Sequence, residues 1–175
     1  CYVSTDDEKI SNIAKKYGAL IPFKRPKKLS TDKASTNSVV EHFLSKINKK
    51  YDYLILLQPT SPLRNSMDID NALRAMLKNK TESLVSISKL DYPNEWVVKH
   101  NHKNIISYAN KKKNISRRQD ANQYYKINGA IYITEIDYYK KHKLFITNKT
   151  YGFEMNFEKS IDIDTKFDLL MAKNF

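Results

Sequence analysis

The chain has 175 residues, room for one domain with a core, and its 41% hydrophobic and 29% charged content excludes global disorder. A single cysteine, Cys1, excludes an internal disulfide framework and any zinc site built from several cysteines, and no apolar run is long enough to cross a bilayer. The net charge of +12 favours anionic partners, but the excess is mostly lysine and no nucleic-acid motif accompanies it, so a nucleic-acid-binding module rests on charge alone.

In chain order, Tyr2-Val3 reads as the end of a strand. Thr5-Asp-Asp-Glu8 has capping-box spacing ahead of a helix with Ile10, Ile13, Ala14 and Tyr17 on one stripe and Gly18 at its end. Leu20 to Phe23 is a short strand candidate, and Ser38-Val-Val-Glu41 a second capping box before Phe43, Leu44 and Ile47. Tyr53 to Leu57 has the continuous apolar character of a strand buried on both faces. A helix follows through Ile69, Ala72, Leu73, Met76 and Leu77, then a strand from Ser83 to Ile87. Lys89 to Gln123 loses this regularity, with short strands expected near Trp96 to Val98 and Ile105 to Tyr108. Order returns with a strand at Ala130 to Thr134, a helix from Glu135, a strand near Tyr151 to Met155 and a last helix from Thr165. Strands alternating with helices predict an α/β fold with parallel pairing and crossover helices.

Ser160-Ile-Asp-Ile-Asp-Thr165 sets two carboxylates two residues apart, hence on one side of an extended backbone, with Ile161 and Ile163 on the other. Both can face one divalent cation, and Mg²⁺ accepts a few hard oxygens plus phosphates. On spacing alone, a helix cap at Asp164 or Thr165 is the commoner use of such residues, with Phe167, Leu170 and Met171 as the buried stripe. Leu57-Gln-Pro-Thr-Ser-Pro-Leu-Arg64 follows a strand, where α/β sheets bind ligands, and offers Gln58, Thr60, Ser61 and Arg64, although an ordinary turn would explain it as well. Arg117 and Arg118 suit a carboxylate or phosphate, or are a solvated basic patch. The runs Lys111 to Lys113 and Lys140 to Lys143 read as solvated surface, and the four histidines show no metal-ligand spacing.

Taken together and in order, Val3-Ser-Thr-Asp6, Arg25-Pro26, the proline loop, Asn128-Gly-Ala-Ile-Tyr-Ile133 and the closing double-aspartate motif resemble CMP-sialic acid synthetase, the acylneuraminate cytidylyltransferase family. The resemblance covers essentially the whole chain. It implies a Rossmann-like, mainly parallel sheet with helices on both faces, in one cytidylyltransferase-like domain over residues 1–175. It implies an enzyme that joins CTP to a sialic-acid-like nonulosonic acid, releases pyrophosphate and uses Mg²⁺. Asp162 and Asp164 would hold the metal, with Asp164 also helping to activate the sugar hydroxyl. Arg25 and Thr36 would contact the cytidine, and Gln58, Arg118, Tyr132 and Phe145 the sugar. Residues 89–123 would be an inserted excursion that builds a homodimer.

The resembled family opens with a strand and a basic loop that cradles the triphosphate, and nothing in this chain matches that loop. The expectation is therefore an amino-terminally truncated member with impaired turnover. The same chemistry on legionaminic or another nonulosonic acid is one alternative, and a non-catalytic remnant that binds nucleotide or dimerises is another. The opening residues have no secretory signal, so the expected compartment is the cytoplasm and the glycosylation patterns at Asn114 and Asn148 would go unread.

Overall fold

The computed structural model describes residues 1–109 and 117–175, and within them the backbone of Asp120 but not its side chain. Lys111 to Lys113 and Asn114, singled out above, lie outside the described residues. The chain forms two compact units, Cys1–Asp52 and Tyr53–Phe175.

In the first unit, helix α1 (Glu8–Lys16) is capped by Asp7, whose Oδ1 accepts from Ile10 N at 2.8 Å. The cap expected at Thr5 is thus displaced by two residues, and Thr5 Oγ1 instead accepts from Asp7 N at 3.1 Å. Gly18 closes the turn at φ +81°, as its position suggested. The stripe through Ile10, Ile13 and Tyr17 is exposed, with Tyr17 at 89%. Helix α2 (Thr36–Lys46) starts three residues earlier than its second capping box implied, because Ser35 Oγ takes Ser38 N at 3.1 Å. The strands expected at Tyr2 and Leu20 shrink to one parallel bridge between those residues. Tyr2 packs edge-on against Phe43 with ring centroids 5.2 Å apart, and its hydroxyl meets that of Tyr51 at 2.7 Å.

The second unit is a four-stranded sheet in the order β1-β5-β2-β6, from β1 (Tyr53–Leu56), β2 (Ser83–Lys89), β5 (Tyr125–Glu135) and β6 (Tyr151–Glu154). β2 pairs in parallel with β6, and β5 runs antiparallel to both β1 and β2. Three strands thus share one direction, but only β2 and β6 pair in parallel, because β5 lies reversed between β1 and β2; the sheet of this α/β unit is mixed rather than mainly parallel. β1 is an edge strand of this sheet and is half-buried, not enclosed as its apolar run suggested. Helix α3 (Ser66–Lys78) starts with a reciprocal capping box between Asn65 and Asp68 and presents Ala72 and Met76 to the core. That core also holds Leu84, Ala130, Ile131, Ile133 and Met155. Helix α4 (Ile136–His142) buries Tyr138 and Tyr139, and Phe145 stacks on Tyr139 at 4.9 Å. Helix α5 (Lys166–Lys173) starts at Thr165, as read from the sequence.

The β2–β5 register slips between Val85, opposite Tyr132, and Ile87, opposite Ile127. One residue of β2, Ser86, therefore faces the run Asn128 to Ile131, a bulge of the kind that re-aims side chains. The irregular stretch after β2 carries a hairpin of β3 (Val98–His100) and β4 (Ile106–Tyr108). Trp96, Ile105, Ile106 and Tyr108 on it are 47–63% exposed. No helix among the described residues is long and apolar enough to cross a membrane.

Candidate active site

The two carboxylates lie on the connection between a 3-10 turn, Glu158–Ser160, and α5. This connection is not a strand, but it keeps a strand's alternation: Ile161 and Ile163 are half-buried, Asp162 and Asp164 exposed. Both aspartates line one cleft of about 430 Å³, together with Lys126, Asn128, Phe157 and Phe167. The apolar stripe expected on α5 is largely exposed instead, with Phe167 at 68% and Leu170 at 57%, while Ala172 is the buried residue. Phe167 and the half-buried Met171 line the cleft, which is why that face of α5 is open.

The aspartate run is held at its start, middle and end. At the start, Ser160 Oγ accepts from Asn128 Nδ2 at 2.9 Å and donates to Asn156 O at 2.7 Å. In the middle, Ile163 N donates to Thr60 O of the proline loop at 2.8 Å. At the end, Asp168 Oδ2 accepts from Thr165 N and Thr165 Oγ1, both at 2.7 Å, and from Asp164 N at 3.2 Å. These bonds, the Thr165 hydroxyl first, hold the Asp168 carboxyl below its ordinary range. The cap and the shared cleft thus coexist, because Thr165 and Asp168 make the cap while Asp162 and Asp164 both line the cleft.

The proline loop is stapled by Arg64. Its Nη1 donates to Gln58 O at 2.7 Å and Ser61 O at 2.6 Å, so a side chain read as available to a ligand is engaged in shaping the loop. Burial pushes the Arg64 guanidinium below its usual pKa, and the two carbonyls oppose that shift by accepting from the charged form. Gln58 is half-buried and reaches the bulge: a Cβ on Gly129 would lie 2.5 Å from Gln58 Oε1. Gly129 has φ +76°, so its backbone favours glycine, and any side chain there would have to push the end of Gln58 aside.

Tyr132 is half-buried on β5 with its ring edge-on to Phe145 at 5.7 Å. Burial, and after it the charge of Asp162, raises its phenol pKa, which puts Tyr132 within electrostatic reach of that carboxylate. Phe145 is 7% exposed and backs Tyr132 from the core. Arg118 is exposed in the turn Arg118–Asp120 and is not part of the cleft lining. In the first unit, Arg25 is half-buried with Nε donating to Ser4 Oγ at 3.1 Å and Nη2 to Ser4 O, which links two of the motifs read from the sequence. Thr36 is exposed at the first turn of α2. The sequence reading gave no role to Ser86, Ser160 or Asp168.

Solved structures share this fold. One is a CMP:2-keto-3-deoxy-manno-octonic acid synthetase complexed with CTP, with a TM-score of 0.62 and 18% identity, covering 99% of this chain and 81% of that one. Another is a 4-diphosphocytidyl-2C-methyl-D-erythritol synthase from Anaerococcus prevotii, with a TM-score of 0.61 and 12% identity, covering 97% and 76%. The architecture is that of these α/β synthetases. At the level of sequence the assignment is narrower: the cytidylyltransferase family profile matches residues 1–174, and this chain belongs to that family. It is 33% identical over 170 residues to an N-acylneuraminate cytidylyltransferase of Streptococcus agalactiae, covering 97% of this chain and 40% of that protein. It is 32% identical to a pseudaminic acid cytidylyltransferase of Campylobacter jejuni, covering 98% and 75%. It is 31% identical to a CMP-N,N'-diacetyllegionaminic acid synthase of Legionella pneumophila, again covering 98% and 75%.

Proposed function

We propose that this chain transfers CMP from CTP to a sialic-acid-like nonulosonic acid, giving the CMP-sugar and pyrophosphate. The observation that supports it most is the sharing of one cleft by Asp162 and Asp164, on a run bonded to the proline loop through Ile163 and Thr60. The relatives' names, which cover acylneuraminate, pseudaminic and diacetyllegionaminic acids, support the sugar class.

In this reading the anomeric hydroxyl of the sugar forms a bond to the α-phosphorus as the bond to pyrophosphate breaks, and Asp164 helps take up the hydroxyl proton. Asp162 and Asp164 would hold Mg²⁺. Among the described residues no three His, Cys, Asp or Glu side chains converge, so this donor set of two hard oxygens leaves room for water and phosphate, as Mg²⁺ prefers. When bound, such an ion offsets the negative charge that develops on phosphoryl oxygens. Arg25 and Thr36 contact the cytidine, Arg25 with the part of its fork not directed at Ser4. Gln58, Tyr132 and Arg118 contact the sugar acid, Arg118 through the bidentate geometry a carboxylate favours, and Phe145 supports the pocket wall. In this reading the enzyme works in the cytoplasm, and residues 89–123 pair two copies through the exposed Trp96, Ile105, Ile106 and Tyr108.

The test is pyrophosphate release from CTP with each of the three sugar acids in the presence of Mg²⁺. Asp164→Asn is expected to lower the rate by about 100-fold or more, since several kcal/mol of charge stabilisation are at stake. Equal rates in the wild type and Asp164→Asn would remove Asp164 from the reaction.

A further inference from the structure

We propose that Asn128 is a positioning residue for the two aspartates, acting through Ser160, a role that rests on the metal-holding function proposed above for Asp162 and Asp164. Asn128, Ser160 and Ser86 are 3%, 6% and 0% exposed, so each polar atom must find its partner inside the protein. Asn128 Oδ1 accepts from Ala130 N at 3.2 Å and from Ser86 Oγ at 2.5 Å. A main-chain N–H can only donate, so the Ala130 contact fixes which end of the amide is oxygen. The NH₂ end then faces Ser160 Oγ at 2.9 Å, and the Ser160 proton goes to Asn156 O, a group that can only accept.

The chain of bonds from Ala130 N to Asn156 O therefore has a single polarity. Its anchor is the bulge, where Ser86 Oγ also accepts from Ile131 N at 2.8 Å and fills the break in the ladder. Ser160 is the residue before Ile161, so fixing its side chain fixes where the run to Asp164 begins. The Thr60 carbonyl and the Asp168 carboxylate then set its middle and end. Holding two carboxylates in register matters because a divalent cation gains from both only when neither must move, and outer hydrogen-bond partners of metal ligands are commonly worth about 10- to 100-fold in metal affinity or activity.

The experiment is a Mn²⁺ titration of the chain, followed by the electron paramagnetic resonance of free Mn²⁺, with circular dichroism melts to verify folding. Ser160→Ala and Asn128→Asp, the second of which puts an acceptor where Ser160 needs a donor, are expected to bind Mn²⁺ about 10- to 100-fold more weakly. Lys159→Met, which breaks the neighbouring ion pair with Asp68 but not this network, should lower the melting temperature and leave affinity unchanged. If Ser160→Ala does not fold, Ser160→Cys keeps the volume with a weaker donor and decides the matter in the same way. Affinity lost on Asp162→Asn but retained in folded Ser160→Ala overturns the positioning role alone. Wild-type affinity that is indifferent to Asp162→Asn overturns the metal reading and this inference with it.

Discussion

Lys159 Nζ lies 2.7 Å from Asp68 Oδ1, joining the turn before the aspartate run to the first turn of α3 across 91 residues of sequence. Asp68 is committed twice, because its other oxygen accepts from Asn65 N at 2.9 Å to complete the helix cap. The pair is partly covered, with side chains 35% and 14% exposed, so solvent screens it incompletely. Lys159→Met is expected to cost about 1 kcal/mol, and a double-mutant cycle with Asp68→Asn in urea denaturation should recover most of that as coupling.

Gly129→Ala is expected to destabilise the protein by about 1–2 kcal/mol, because an L side chain resists the left-handed backbone there. The new methyl would also displace Gln58, whose amide end is free to swing. Denaturation reads the first effect. A raised KM for the sugar acid with little change in KM for CTP reads the second.

The Asp168 carboxyl has a folded pKa below the ordinary aspartate value of 3.8. The unfolded chain thus binds this proton more readily than the folded one. The stability this group contributes is fully present above that ordinary value and disappears as pH falls through the lower folded value. Asp168→Ala should flatten the acid limb of the melting temperature measured from pH 7 to pH 2. An unchanged acid limb would show that the carboxylate does not hold the Asp164–Thr165 turn.

Ile105 and Ile106 are 61% and 63% exposed on the excursion proposed to pair two copies. Ile106→Lys is expected to convert a dimer into a folded monomer in sedimentation at micromolar concentration. A wild type that sediments as a monomer would remove the pairing role from residues 89–123.

Periodicity located α3 and β2, and the capping residue Thr165 located the start of α5, because the apolar spacing of Ala72 with Met76 and a helix cap are local patterns that tertiary packing reinforced. The alternation of Ile161 and Ile163 with the aspartates was legible for the same reason. The reversal of β5 was not, since a strand's side-chain period is the same in either direction. Helix starts were misjudged where several polar residues competed for one cap: Asp7 outdid Thr5, and Ser35 outdid Ser38. The network of Ser86, Asn128 and Ser160 was out of reach because it depends on the register slip that sets Ser86 opposite the bulge. Nothing in the spacing of those three residues announces it.

The same network bears on the order of folding. Its bonds join residues 42 and 32 apart in sequence, and they depend on β2 having already paired with β5. The network forms only in the β2–β5 register, so the aspartate run is expected to take its final shape after that pair has assembled, and closing such distant contacts carries a loop-entropy cost that local helices avoid. Substitutions at Asn128 or Ser160 should therefore act mainly on how fast the native state opens and leave the rate of refolding almost untouched.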